Sequence, residues 1–158
     1  MKKPIIILGI IALIAGGCGS KELKITPITG SRNVEPNSHV YHIGNDEFQY
    51  YTIANYKHIA HDSLYKELNI YIHSEYPYEM TGNNGLFTAF FYKKSLFVNY
   101  QKHISDAIRS EFGSIYGHND NLIAKIYCIE RKDDQYPVFT TVLYDKDIIL
   151  LAKSDTIK

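Results

Sequence analysis

The sequence predicts an α+β domain, a mainly antiparallel sheet of four or five strands with two helices packed on one face. Three observations lead there. Two stretches carry apolar residues at helical spacing, five shorter ones alternate or run continuously apolar, and the last third of the chain is nearly all of the second kind.

Residues 51–66 place Ile53, Tyr56, Ala60 and Leu64 three and four apart, which predicts an amphipathic helix, although Tyr50 to Ile53 also suit the start of a strand. Leu68 to His73 alternates, with Leu68, Ile70 and Ile72 on one side, and reads as a strand ended by Pro77. Thr81 to Gly85 is a turn, and Leu86 to Tyr92 is the next strand. Phe97 to Phe112 is the second helix, with Ile104 and Ile108 in its apolar stripe and Gly113 to stop it. Residues 121–130, 138–144 and 148–153 are three further strands, the last two joined across Asp145-Lys146-Asp147 in a hairpin.

The 158 residues are 45% hydrophobic and 22% charged, enough apolar surface to offset the entropy of ordering a single domain. Acidic and basic groups balance at 17 each, and the lysines and arginines are scattered among carboxylates. That pattern argues against a nucleic-acid partner, which calls for a basic stripe.

The amino terminus has a different character. Lys2 and Lys3 precede an apolar run from Ile5 to Ile14, and Ala15-Gly16-Gly17 supplies small residues before Cys18. The run is shorter than the roughly 20 residues a membrane span needs, and its layout is that of an export signal. It resembles a bacterial lipoprotein signal peptide, with Leu13 to Cys18 resembling the lipobox, although Ala15 stands where that family favours leucine. The resemblance implies that residues 1–17 are removed and that Cys18 receives a diacylglycerol, often with a further fatty acid on the new amino group. It covers only this segment. The expected organisation is therefore a signal peptide over 1–17, a lipidated cysteine and Pro- and Gly-interrupted tether over 18–47 with one edge strand near Leu23 to Ile28, and a single globular domain over 48–158.

Only Cys18 and Cys128 occur, too few for a disulfide framework, and Cys128 in its strand-like run is expected to be a buried apolar group. Seven histidines include His58 and His61, His39 and His42, and His103 near Asp106, but none sits in a zinc-hydrolase motif. None of the serines lies in a Gly-x-Ser-x-Gly elbow, and Glu67, Glu75 and Glu79 have no visible partner. No catalytic residue, metal or cofactor is assigned on these grounds. The 14 tyrosines and 7 phenylalanines are more informative, and Tyr71, Tyr76 and Tyr78 around Pro77 form a candidate contact set, because tyrosine offers rigid apolar area with a polar tip. The expected function is that of a lipid-anchored protein of the bacterial cell envelope, facing periplasm or exterior. Its domain is expected to bind or help assemble another envelope protein. The alternatives are an inhibitor or immunity lipoprotein directed at a toxin or lytic enzyme, and a lipid-anchored hydrolase.

Overall fold

The computed structural model describes residues 22–29, 39–75, 85–109, 119–129, 136–146 and 148–156, with backbone alone at 75, 105–109, 119 and 156. The elements run β1 (Lys24–Pro27), β2 (Val40–Ile43), β3 (Asp46–Ala54), α1 (His61–Glu75), β4 (Leu86–Lys93), α2 (Tyr100–Arg109), a short 3-10 helix (Asn119–Asn121), β5 (Leu122–Ile129), β6 (Val138–Asp145) and β7 (Ile148–Thr156). They form one seven-stranded sheet in the order β1-β3-β4-β5-β6-β7, with β2 also on β3.

This corrects the expected four or five mainly antiparallel strands in two respects. The sheet is larger, because β3 is a nine-residue strand whose outer edge takes both β1 and β2, end to end: Lys24 pairs with Ala54 and Pro27 with Tyr51, while Val40 pairs with Gln49 and Ile43 with Asp46. Both short strands lie within the segment read as a tether. Pro27 is tolerated because β1 is an edge strand. The sheet is also mixed. Strands β3 and β4 are parallel, from Glu47 opposite Phe87 to Ile53 opposite Lys93, and the crossover that parallel neighbours require is α1. All other pairs are antiparallel.

The helices do not share a face. Alternate residues of β4 point to opposite sides: Phe87, Ala89 and Phe91 pack with Leu64, Leu68 and Ile72 of α1, whereas Phe90 and Tyr92 pack with Tyr100 and Ile104 of α2. Phe87 to Tyr92 are all buried, which a strand achieves only when both its faces are covered.

The helical spacing over 51–66 fails for a related reason. Tyr51 and Ile53 belong to β3 and are wholly buried there, so the spacing joined the end of one strand to the beginning of a helix. The alternation of Leu68, Ile70 and Ile72 is broken by burial: Leu68 and Ile72 are buried, one helical turn apart, and Ile70 is 66% exposed. Leu64, Tyr65, Leu68 and Ile72 form the stripe of α1 instead. Its register on the sheet is fixed by Asn69, whose side-chain Nδ2 donates to Thr141 Oγ1 at 2.9 Å while the Thr141 hydroxyl donates back to Asn69 Oδ1 at 3.1 Å. Helix α2 starts later than Phe97. Asn99 caps it, its Oδ1 accepting from the Lys102 amide at 3.2 Å.

Two tight places depend on glycine. Gly44 opens the two-residue β2–β3 turn at φ 63°, the pattern of a type II′ hairpin. A Cβ on Gly85 would stand 2.5 Å from the Asn45 carbonyl oxygen, so only glycine lets β4 begin against that turn.

Candidate functional site

Because β3 and β4 are parallel, their carboxyl ends lie together, and the chain leaves both ends to begin a helix: α1 on one face, α2 on the other. This is the arrangement in which open sheets form ligand crevices. Each face has a cleft at this rim. On the α1 face a cleft of about 340 Å³ lies between the loop before α1 and the β6–β7 hairpin, with Tyr56, Lys57, His61, Tyr144 and Asp145 among its walls. On the α2 face a more open cleft of about 550 Å³ lies between β1 and the β4–α2 loop, with Thr29, Thr52, Asn99, Tyr100 and Gln101 as its polar residues.

Two phenols at the rim are held in their neutral form. Burial, helped by the nearby Asp145 carboxylate, holds the Tyr56 phenol above its ordinary pKa. Burial, with Tyr56 adding to it, pushes Tyr100 up to about 12, and the Tyr100 hydroxyl donates to the Lys93 carbonyl at 2.7 Å. A phenol held protonated is a hydrogen-bond donor and a poor nucleophile at neutral pH. The α1-face cleft offers mainly apolar area with a few polar groups, and the α2-face cleft a more polar wall.

Away from the rim, a chain of side-chain hydrogen bonds runs along β3. The Tyr51 hydroxyl donates to Gln49 Oε1 at 2.6 Å, and Gln49 Nε2 donates to Glu47 Oε1 at 2.7 Å. His39 lies against Tyr51, ring centroids 5.7 Å apart, and burial lowers its pKa against the opposing pull of Glu47. Lys125 is half-buried over the rings of Phe90 and Tyr127, at 5.7 and 5.0 Å, and burial lowers its pKa.

The residues singled out in the sequence fall in different places. Tyr71 is on α1, half-buried, its ring edge-on to Tyr51 at 5.6 Å, so packing already occupies one side of it. Tyr76 and Tyr78 lie outside the described residues, as does Cys18. Cys128 is buried in the α1-face core between Phe87 and Phe139, its register neighbours on the two adjacent strands. His58 lies in the loop before α1 and His61 opens the helix, His42 is exposed on β2 while His39 is half-buried, and among the described residues no three metal-ligating side chains come together.

Two exposed apolar features escaped the reading of the sequence. Strand β7 closes the sheet, nine residues long, and among the described residues no strand pairs with its outer edge, where Ile148, Ile149 and Leu150 are 66%, 61% and 40% exposed. The second is the loop between β4 and α2, where Leu96 and Phe97 are 92% and 98% exposed. The linear pattern absorbs both into regular elements, β7 as an ordinary strand and Phe97 as the first position of a helical stripe. Position in the sheet and loop geometry, neither visible in a linear pattern, expose them. No family model matches the chain, and no curated protein or solved structure matches it either.

Proposed function

We propose that the chain is a lipid-anchored protein of the bacterial envelope and that its domain binds another envelope protein by accepting a strand at the free edge of β7. The anchoring half of this reading rests on Lys2 to Cys18 and their resemblance to a lipoprotein signal. The binding half is carried by one observation, the nine-residue edge with Ile148, Ile149 and Leu150 exposed. Edge strands are ordinarily kept short, charged or covered, since a row of unpaired amides and carbonyls templates another strand. In β7 the one described lysine, Lys153, is drawn towards α1 by Asp62 at 2.6 Å, and Asp155 accepts from the Tyr65 hydroxyl, so neither charge guards the outer edge. An added strand gains main-chain hydrogen bonds from the edge and apolar contact from the exposed side chains.

Two measurements test the two halves. The full chain should incorporate labelled fatty acid and stay with membranes through a high-salt wash, and Cys18→Ala should abolish both. A photo-crosslinking residue at Ile149 should give a discrete protein adduct in intact cells, lost when Leu150→Lys places a charge on the edge. One at Tyr136 should not. Equal crosslinking from both positions, or an adduct indifferent to Leu150→Lys, would remove the edge-pairing reading.

A further inference from the structure

We propose that the loop between β4 and α2 is a membrane-insertion element: Leu96 and Phe97 enter the interfacial layer of an anionic bilayer while Lys93 and Lys94 meet its headgroups, so that the carboxyl ends of β3 and β4 face the membrane. The proposal rests on the anchoring reading for the bilayer and for the path of the chain towards it, and the display of Leu96 and Phe97 is independent geometric support. Leu96 and Phe97 are adjacent, 92% and 98% exposed, and thus displayed rather than folded back onto the domain. Moving a leucine or phenylalanine side chain out of water favours the buried state by roughly tenfold to a hundredfold, which is strong for two side chains side by side.

The loop is held open by its neighbours. The Lys94 amide donates to the Ile53 carbonyl at 2.9 Å, the Tyr100 hydroxyl fixes the Lys93 carbonyl, and the Phe97 amide donates to Ser95 Oγ at 3.2 Å. Its ends are thereby fastened to β3 and α2, and the apolar pair is presented at little cost in conformational entropy on binding.

The path of the chain places the membrane at the same end. Lys24 pairs with Ala54, and Asn55 Nδ2 donates to the Glu22 carbonyl at 3.0 Å, while Ile53 pairs with Lys93. The first described residue and the Leu96–Phe97 loop therefore leave the sheet at one rim. From Glu22 back to Cys18 is four residues, a reach of at most about 14 Å. A lipid on Cys18 holds this rim against the bilayer, not at the end of a long tether. The charges agree. Among the described residues the rim carries Lys24, Lys57, Lys93, Lys94 and Lys146 against Glu22, Asp120 and Asp145, whereas the opposite end of β3 begins with Asp46 and Glu47. Each lysine brought to an anionic surface adds about fivefold to binding.

The chain has no tryptophan, so Phe97→Trp creates a single reporter, and Tyr136→Trp, just before β6 at the opposite end of the sheet, is its reference. The full-length protein is placed in protein-free vesicles of phosphatidylethanolamine and phosphatidylglycerol, with and without brominated acyl chains. The emission of the residue-97 reporter should shift to the blue and be quenched by bromine, that of the residue-136 reporter should do neither, and Lys93→Gln with Lys94→Gln should weaken the effect on anionic vesicles. Leu96→Trp serves as a second reporter, and at such exposure neither substitution disturbs folding. Equal quenching at 97 and 136, or quenching at 97 only when another protein is added, overturns the proposal. The mass of the Cys18 peptide separates the two readings. A lipidated Cys18 with an unquenched reporter at 97 leaves anchoring standing and removes insertion, while an unmodified Cys18 with a quenched reporter does the reverse.

Discussion

The two faces of the sheet solve the same packing problem with different chemistry. On the α1 face, Leu64, Leu68 and Ile72 lie over Phe87, Phe91, Ile126 and Phe139, and Tyr51 stacks on Phe91 with ring centroids 5.0 Å apart. On the α2 face the described core is a run of rings, Tyr41 against Tyr50, Tyr50 on Phe90, Phe90 beside Tyr92 and Tyr92 against Tyr100, each pair between 5.5 and 6.2 Å, with Ile28 and Ile104 beside them. Aliphatic side chains fill volume without polar atoms, whereas each tyrosine carries a hydroxyl whose ionisation the fold must suppress. The α1 face holds two half-buried histidines, His39 and His73, and the α2 face the denser set of buried phenols, Tyr41, Tyr50, Tyr92 and Tyr100, so acid should weaken mainly the first and alkali mainly the second.

The largest expected effect comes from adjacent residues of β4. Phe91 points into the α1 face and is fully buried, and Phe90 points into the α2 face at 5% exposure. Phe91→Ala should cost about 3 to 5 kcal/mol in denaturant unfolding. Phe90→Ala should cost less, because the rings around it can slide into the space. Equal losses would show the tyrosine layer to be as tightly packed as the other face.

Next is the alkaline limit. Burial, joined by neighbouring Tyr92 and Tyr41, raises the pKa of Tyr50 well above 10, and Tyr100 is pushed up to about 12. In the unfolded chain these phenols ionise near 10, so above that pH the folded state binds more protons than the unfolded one. Stability is full below pH 10 and falls as pH rises through the folded values. Tyr50→Phe should move the alkaline unfolding midpoint upward, and an unchanged midpoint would place the alkaline weakness elsewhere.

The acid limit is smaller and belongs to the other face. Burial lowers the pKa of His73, whose ring stands edge-on to Phe139 at 4.7 Å, and also that of half-buried His39 beside Tyr51. Below about 6.5 the unfolded histidines take up protons that the folded ones refuse, so stability is full above that value and declines as pH falls. His73→Phe should flatten the decline between pH 6.5 and 5 in a thermal melt. A decline unaltered by the substitution would assign acid sensitivity to carboxylates instead.

The strands β4 to β7 and the β6–β7 hairpin were legible because a period of two is a property of the backbone alone. Helix α1 was not. Residues 64–72 satisfy both periods, since Leu68, Ile70 and Ile72 alternate while Leu64, Leu68 and Ile72 are spaced by four, and only the 66% exposure of Ile70 separates them. The unbroken burial of Phe87 to Tyr92 was not legible either, because the run 86–92 reads as a strand whether one face or both are covered, and the sequence predicts both helices on one face.

The sequence by itself determined the strands of the carboxyl-terminal half and the burial of Cys128, both of which follow from the order of side chains along a short stretch. The tertiary structure decided what depends on which segments meet. It set β3 and β4 parallel, placed the helices on opposite faces, joined β1 and β2 to the edge of β3, and left β7 with a free edge and Leu96 and Phe97 in solvent. Strand pairing and exposure are set by contacts between residues dozens of positions apart. A periodicity measured over ten residues carries no information about them.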